Sequence, residues 1–184
     1  MQSIEPVMPW ELGPTYPRWT ETLRDQRQVV IRPICSSDSA AERAFIESLS
    51  PQSRRYRFLG DVRHPSDDLI RRLTALDYTR DVAFAAVVPD ASGEKIVGVS
   101  RYSTSADGTA CECAVTVLDE WQHKGLGVVL MTHLIDVARA RGIRRMWSID
   151  LAESSAMSDL ARFLGFQRRV DQEDAGQVIH ELWL

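Results

Sequence analysis

The segment from Val115 to Met131 constrains the fold of this chain more than any other part of the sequence. Alternating apolar residues predict a strand, a polar turn with Gly125 and Gly127 follows, and an amphipathic helix begins directly after it. At such a junction the free backbone N–H groups and the helix dipole form a site for an anion, and glycine lets a phosphate approach the backbone closely. The segment therefore predicts a turn that holds a pyrophosphate group. The two glycines alone are equally compatible with a turn that only starts a helix.

The residue pattern of this turn does not match two common nucleotide-binding motifs. The dinucleotide-binding fingerprint requires a third glycine three positions after the second, and that position is Leu130. A P-loop closes with Gly-Lys-Ser/Thr, whereas Lys124 precedes the glycines here. The turn is therefore expected to bind another class of phosphate-bearing ligand.

Hydrophobic periodicity predicts that one α/β domain surrounds the turn. The 184 residues are 44% hydrophobic and 26% charged, which is ordinary for a globular protein of this size. Strands are predicted at 28–34, 82–88, 95–102, 109–118, 144–151, 166–170 and 177–184, and helices at 36–49, 50–58, 65–76, 127–142 and 154–165. The order is one strand, several helices, three strands, then helix, strand, helix and a terminal hairpin.

Residues 1–27 differ from the rest and are predicted to form an N-terminal arm, which leaves 28–184 as the domain. The arm is rich in proline, which excludes a helix or a central strand because it lacks the N–H donor and fixes φ. Its prolines and tryptophans are Pro6, Pro9, Pro14, Pro17, Trp10 and Trp19. Two tryptophans favour an arm that packs on its own domain or on a neighbouring subunit of a homodimer, and simple disorder is the alternative.

Net charge, cysteine spacing and the length of apolar runs argue against nucleic-acid, metal and membrane partners. The net charge is −4, and a protein that neutralises nucleic-acid phosphates is normally basic, so no nucleic-acid partner is expected. Cys35, Cys111 and Cys113 lack the spacing of a zinc site, so no metal is expected. The longest apolar run, residues 82–88, is too short to span a bilayer, and the N-terminus lacks the pattern of a secretory signal. We therefore expect a soluble cytoplasmic protein without a membrane partner.

The pattern Gln122-x-x-Gly125-x-Gly127 after a strand resembles the acyl-CoA-binding motif of the GNAT superfamily of N-acetyltransferases. The second half of the family pattern, a helix that ends in Leu-Gly-Phe, is matched by residues 164–166. The resemblance implies a single α/β (α+β) domain with a central mixed, mostly antiparallel sheet of about seven strands, flanked by helices and splayed at the acyl-CoA cleft. It also implies acetyl-CoA as cosubstrate, with the pyrophosphate on the loop and the pantetheine arm along the preceding strand.

Position by position, the resemblance assigns eleven residues to acetyl-CoA. They are Val115, Thr116 and Val117 on the strand, Gln122, His123, Lys124, Gly125, Leu126, Gly127 and Val128 in and after the loop, and Ser154, where the family commonly has asparagine. A solvated side chain is the alternative for His123.

A closer similarity lies within this superfamily. The strings VVIRPI, LSPQSRRYRF, KIVGVSRY, CECAV and DEWQHKGLG are similar to the acetyltransferase domain of bacterial protein-lysine acetyltransferases. This similarity implies that the acceptor is a protein lysine. An acetyltransferase of a small amine and a CoA-binding sensor without turnover are the alternatives.

Glu112 is the candidate general base. Acetyl transfer needs a neutral amine, and removing the proton of an ordinary lysine ammonium at pH 7 costs about 4 to 5 kcal/mol. The Cys, Ala and Val residues around Glu112 would desolvate its carboxylate and make it a stronger base. The resemblance places a catalytic glutamate at the same Glu-x-Ala-Val position. The alternative is that Glu112 pairs with an arginine such as Arg101.

The resemblance leaves the general acid unassigned. Many family members carry a tyrosine on the last helix that protonates the CoA thiolate, and this position is Ala161 here. Ser154, Ser155 or water would have to donate the proton, or the thiolate leaves unprotonated. Tyr56 and Arg57, in one of the shared strings, are expected to shape the acceptor side of the cleft.

Overall fold

Eight strands and five α-helices make up the part of the chain that the computed structural model describes, residue 13 and residues 17–60, 62–91 and 93–184. The strands are β1 (Trp19–Thr22), β2 (Gln28–Pro33), β3 (Asp81–Asp90), β4 (Gly93–Thr104), β5 (Ala110–Val117), β6 (Arg145–Leu151), β7 (Gln167–Val170) and β8 (Gln177–Trp183). The helices are α1 (Ser39–Ser48), α2 (Pro51–Phe58), α3 (Asp67–Thr74), α4 (Leu126–Ala140) and α5 (Ser155–Phe163). Most of the predicted arm, including Pro6, Pro9, Trp10 and Pro14, lies outside the described residues.

All eight strands belong to one sheet, in the order β1-β2-β3-β4-β5-β6-β8-β7. Every neighbouring pair is antiparallel except β5 and β6. The predicted mixed, mostly antiparallel sheet flanked by helices is confirmed. The seven predicted strands all form, and β1 is an eighth. It comes from residues that the sequence analysis places in the arm, and it pairs with β2 from Trp19↔Ile31 to Thr22↔Gln28.

The continuous apolar run in the middle of β3 forms the centre of the core. Val82 to Val87 are at most 2% exposed, as expected for a strand that is covered on both faces. α4 covers one face with Leu130 and Leu134, which are fully buried. A Cβ at Gly98 of β4 would lie 2.9 Å from Cδ1 of Leu130, so glycine is what allows α4 to pack this closely on the sheet.

The helices cover the two faces of the sheet separately. Ser100 of β4 donates its Oγ–H to a carbonyl oxygen of α4 at 3.2 Å, whereas the next residue, Arg101, pairs with Glu42 of α1. Successive residues of a strand point to opposite faces, so α4 lies on one face and α1 on the other. The register partner of Glu112 is Ser103, which shares the face of Arg101. Glu112 therefore lies on the α1 face.

β5 and β6 pair in parallel over only three residue pairs, from Ala110↔Arg145 to Glu112↔Trp147. Both strands continue beyond this point without pairing with each other. The connection between them is long and contains α4, so no short turn holds their ends together. The later residues of β5 keep their backbone hydrogen bonds to β4 on one edge, while the other edge opens onto a gap. This gap is the predicted splay.

A buried ion pair fastens the end of β2 to the turn that leads into α1. Arg32 donates from Nη1 to Oδ2 of Asp38 at 2.9 Å and from Nη2 to Oδ1 at 2.8 Å. Burial opposes the charge on Asp38, but the hydrogen bonds from Arg32 and from the backbone N–H of Cys35 outweigh it, and the pKa of Asp38 lies below its ordinary value. The folded state therefore favours the carboxylate form.

We expect Asp38→Asn to lower the free energy of unfolding at pH 7 by about 2 kcal/mol, because Arg32 loses the charge-assisted hydrogen bonds to its buried partner and keeps only the ion pair with the more exposed Glu94. A lowered folded-state pKa contributes stability above the unfolded pKa, about 3.9, and loses it as the pH falls through the folded pKa. The difference between the two proteins in urea unfolding should therefore shrink below about pH 4. Asp136→Asn, at an exposed pair with Arg139, is the control and should change stability by less than about 0.5 kcal/mol. Equal stability of Asp38→Asn and the wild type at pH 7 would contradict this role of the pair.

Candidate active site

The gap between β5 and β6 is the floor of a cleft of about 820 Å³. This volume is in the range of small-molecule sites. α2 borders the cleft on one side, α5 on the other, and the loop before α4 borders it at the end of β5. The loop, the free edge of β5 and Glu112 all face this one space.

The loop before α4 has the features of an anion site. Gly125 has φ +89°, a left-handed conformation that favours glycine, and directly precedes the helix. The N–H groups of the first helical residues, Leu126, Gly127 and Val128, have no partner within an α-helix, and all three residues line the cleft. These donors and the positive end of the α4 dipole make the end of the cleft suitable for a phosphate.

Polar contacts hold the loop against β5 and α2. Nε2 of Gln122 donates to the carbonyl of Val117 at 3.1 Å and to Oγ of Ser53 at 3.3 Å. Asp119 accepts hydrogen bonds from the hydroxyls of Ser50 and Ser53 at 2.7 and 2.9 Å. Burial alone would raise the pKa of Asp119, but these bonds and the backbone N–H of Ser50 hold it below its ordinary value. The side chain of Gln122 thus fixes the position of the loop by its hydrogen bonds to β5 and α2.

Glu112 faces the cleft from the α1 side of the sheet. Its side chain is exposed and has no hydrogen bond or ion pair with the described residues. The expected desolvation by neighbouring apolar residues is wrong, because Cys111 and Cys113 point to the opposite face. The alternative of a pair with Arg101 is not observed either. Arg101 pairs with the buried carboxylate of Glu42 at 3.1 Å, which leaves Glu112 available to a ligand.

A charged arginine lies near Glu112. Burial and the neighbouring charge of Arg101 lower the pKa of Arg57 to about 10, while Glu42 and Glu112 act in the opposite direction. Arg57 therefore remains a cation at neutral pH. It lines the cleft together with Tyr56.

The structure brings together almost all of the residues that the sequence analysis assigns to the site. The residues that line the cleft are Glu112, Val115, Thr116, Val117, Gln122, His123, Gly125, Leu126, Gly127, Val128 and Ser154. Lys124 does not line it. Its carbonyl oxygen accepts a hydrogen bond from the backbone N–H of Arg24 at 3.1 Å.

Arg24 is one of the cleft residues that sequence reasoning missed. It lies in the turn between β1 and β2 and lines the cleft beside the loop. A Cβ at Gly125 would be 3.5 Å from its Nε, so the guanidinium stem lies over the loop. No local pattern could have shown this, since about a hundred residues separate Arg24 from Gly125 and only the folded sheet brings them together. Its charge supplements the N–H donors at the start of α4.

The described part of the chain contains no group of three or more His, Cys, Asp or Glu side chains that could hold a metal ion. None of its helices is both long enough and apolar enough to cross a bilayer.

Comparisons with known proteins agree with this geometry. The family profile described as "Acetyltransferase (GNAT) family" matches residues 44–166. The chain is 46% identical to acetyltransferase PA5475 of Pseudomonas aeruginosa over 166 residues, and this alignment covers 90% of this chain and 89% of that protein. It is 30% identical over 128 residues to acetyltransferase Pat of Mycolicibacterium smegmatis, which covers 69% of this chain and 37% of that protein. Among solved structures, the GNAT domain of S. lividans PAT superposes with a TM-score of 0.83 at 28% identity, over 92% of this chain and 99% of that one.

We expect Gly125→Ala to weaken the binding of CoA by about tenfold, which is about 1.4 kcal/mol. The added methyl group has room beside Arg24, at 3.5 Å from its Nε, but it disfavours φ +89°, and relief of this strain changes the shape of the loop. Isothermal titration calorimetry measures the dissociation constant. Gly108→Ala is the matched control, because Gly108 has φ +72° with nothing within 4 Å of an added Cβ and lies outside the cleft. Both variants should lose about 1 kcal/mol of unfolding free energy, and equal CoA affinity in both would refute the anion site.

Proposed function

Because the chain belongs to the GNAT family of acetyltransferases, we propose that it transfers the acetyl group of acetyl-CoA directly to the ε-amine of a protein lysine, with Glu112 as general base. The observation that carries this proposal is that the glycine loop and Glu112 open onto the same cleft from different ends of β5. The loop would bind the phosphates of CoA, the edge of β5 would bind the pantetheine arm, and the carboxylate of Glu112 would accept the proton of the amine.

Two features of the cleft favour acetyl-CoA as the donor. The N–H groups at the start of α4 and the guanidinium of Arg24 would hold the pyrophosphate. The free edge of β5 at Val115–Val117 offers backbone donors and acceptors to the amide groups of the pantetheine arm, as a sheet edge does to an added strand. With the phosphates at the loop, an arm that follows β5 towards its start brings the thioester to the end of the cleft where Glu112 lies.

Glu112 has the position and the freedom that a base for the amine requires. Its carboxylate has no protein hydrogen bond among the described residues, so both oxygens are available to an incoming ammonium group. Proton removal from lysine at pH 7 costs about 4 to 5 kcal/mol, and a carboxylate beside the nitrogen reduces this cost by taking the proton before the C–N bond forms. The neutral amine then attacks the carbonyl carbon of the thioester.

The rim of the cleft favours a polypeptide as the acceptor. Leu59 at the end of α2 and Phe163 at the end of α5 are 43% and 67% exposed, and both line the cleft. Exposed apolar side chains beside a binding site are typical of surfaces that contact another protein. The sequence strings shared with bacterial protein-lysine acetyltransferases support the same acceptor.

We expect Glu112→Gln to lower kcat at pH 7 by about 100-fold and to leave the KM for acetyl-CoA within about twofold. Release of CoA thiol in the presence of a lysine-containing peptide measures both constants. Glu120→Gln is the matched control, since Glu120 is exposed, pairs with Lys95 and lies outside the cleft. Unchanged turnover of Glu112→Gln would show that another group removes the proton.

The acceptor class is tested with labelled acetyl-CoA and a bacterial cell extract. We expect the label on proteins, and we expect it to disappear when the lysines of the extract are first blocked by reductive methylation. Label on small molecules alone would contradict the protein acceptor and leave an acetyltransferase of small amines. Tight binding of acetyl-CoA without any release of thiol would contradict the activity itself and leave a CoA-binding sensor.

A further inference from the structure

A buried pair of titratable side chains lies below the cleft and takes no part in the chemistry described so far. His180 of β8 is 1% exposed and Asp150 of β6 is 8% exposed. Nδ1 of His180 is 2.8 Å from Oδ2 of Asp150, and the hydroxyl of Ser148 donates to the same oxygen at 2.6 Å. Nε2 of His180 is buried without a hydrogen-bond partner among the described residues. The two side chains therefore form a hydrogen-bonded pair in which His180 has little access to water.

The pair reaches the cleft from the face opposite Glu112. Glu112 and Trp147 are register partners and share one face of the sheet. Asp150 is three residues after Trp147, so strand alternation places it on the other face. It lines the cleft, and it also lines a smaller cavity of about 20 Å³ together with Met131 of α4 and Ala161 of α5. Since β5 and β6 have separated at this level, Asp150 borders the gap itself.

One carboxylate oxygen of Asp150 has no hydrogen bond with the described residues. Oδ2 takes both hydrogen bonds, while Oδ1 accepts none from the described residues. Nε2 of His180 is buried without a hydrogen-bond partner among the described residues, and such an unsatisfied polar group costs about 1 to 3 kcal/mol. Apolar residues of similar volume often pack as well as a buried charged pair or better. A buried histidine–carboxylate pair with one free oxygen at the wall of a cleft therefore points to a role toward the bound ligand.

We propose that Asp150 is the proton donor to the CoA thiolate and that His180 is a positioning residue that holds the Asp150 carboxyl group in place through Nδ1. The inference rests on the proposed function, since it needs an acyl thioester in the cleft. A CoA thiolate formed at the gap would face Glu112 from one side of the sheet and Asp150 from the other. The acceptor proton and the leaving-group proton are then handled by different groups.

The neutral amine nitrogen, whose ammonium proton has already passed through Glu112 to solvent, forms a bond to the carbonyl carbon, and Glu112 takes one further proton from the nitrogen. The C–S bond breaks and its electron pair stays on sulfur, which takes a proton from Oδ1 of Asp150 and leaves as the thiol. Asp150 remains as the carboxylate, with Oδ2 still hydrogen-bonded to neutral His180 and to Ser148. Glu112 then releases its proton to solvent and Asp150 takes one up, so the net products are the amide and CoA.

The test uses hydroxylamine as the acceptor, because it is unprotonated at neutral pH and its reaction depends little on a base. Thiol release from acetyl-CoA is measured on the full-length chain at pH 7.5, with the enzyme-free rate subtracted. We expect Asp150→Asn to lower kcat by about 100-fold, with the KM for acetyl-CoA and the dissociation constant of CoA within about twofold. His180→Gln should lower kcat by at least tenfold, and the double variant should be no slower than Asp150→Asn, because the two residues act as one unit.

His133→Gln is the matched control. His133 also pairs with a carboxylate, that of Glu21 at 2.7 Å, but it lies outside the cleft, and its kcat should stay within about twofold of the wild type. A kcat of Asp150→Asn within threefold of the wild type would overturn the inference while wild-type turnover still supports the proposed function. Multiplicative losses in the double variant would also overturn it. If Asp150→Asn does not fold, His180→Gln decides alone, and an absence of wild-type thiol release with every amine overturns both proposals together.

Discussion

The early end of the parallel pairing between β5 and β6 is the constraint on which the site depends. A strand inside a sheet normally satisfies its backbone groups on both edges, but β5 beyond Glu112 does so only toward β4. The two strands can separate because α4 lies in the connection between them. The same connection places the first turn of α4, with its unpartnered N–H groups, at the end of the gap. A ligand that has phosphates at one end and amide groups along its length satisfies both sets of donors.

The buried charges around the gap decide which groups stay available. Burial raises the pKa of Glu42, and Arg101 on the neighbouring strand opposes this shift through its ion pair with that carboxylate. Arg101 is thereby occupied within the protein, and Glu112 keeps a carboxylate without an ion-pair partner in the described residues. Arg57 remains charged beside it. The cleft thus presents one carboxylate without an ion-pair partner among the described residues and, near it, one charged guanidinium, a combination set by how α1 and α2 pack on this face of the sheet.

Residues 17–27 also support the cleft, because they contact α4 and the glycine loop. β1 extends the sheet by pairing with β2, and Trp19 stacks on His133 of α4 with ring centroids 4.1 Å apart. The turn after β1 reaches the glycine loop, where the backbone N–H of Arg24 donates to the carbonyl of Lys124. Residues 17–27 therefore brace both α4 and the loop that precedes it. The stretch that composition sets apart as an arm thus includes residues that contact the site.

The sequence by itself determined the order of the elements from β2 onward, the glycine turn at the start of α4 and the position of Glu112 on β5. These features follow from periodicity and backbone conformation within a few neighbouring residues, and Gly125 indeed adopts the left-handed conformation that only glycine tolerates well. Only the tertiary structure decided that Arg101 pairs with Glu42, that Glu112 is exposed, that Arg24 covers the loop and that His180 meets Asp150. The three contacts join residues that lie far apart in the sequence, and the exposure of Glu112 depends on which elements pack around it. All four features therefore depend on strand register and helix packing. Burial, charge pairing and proton positions are set by such distant neighbours, and a local pattern carries no information about them.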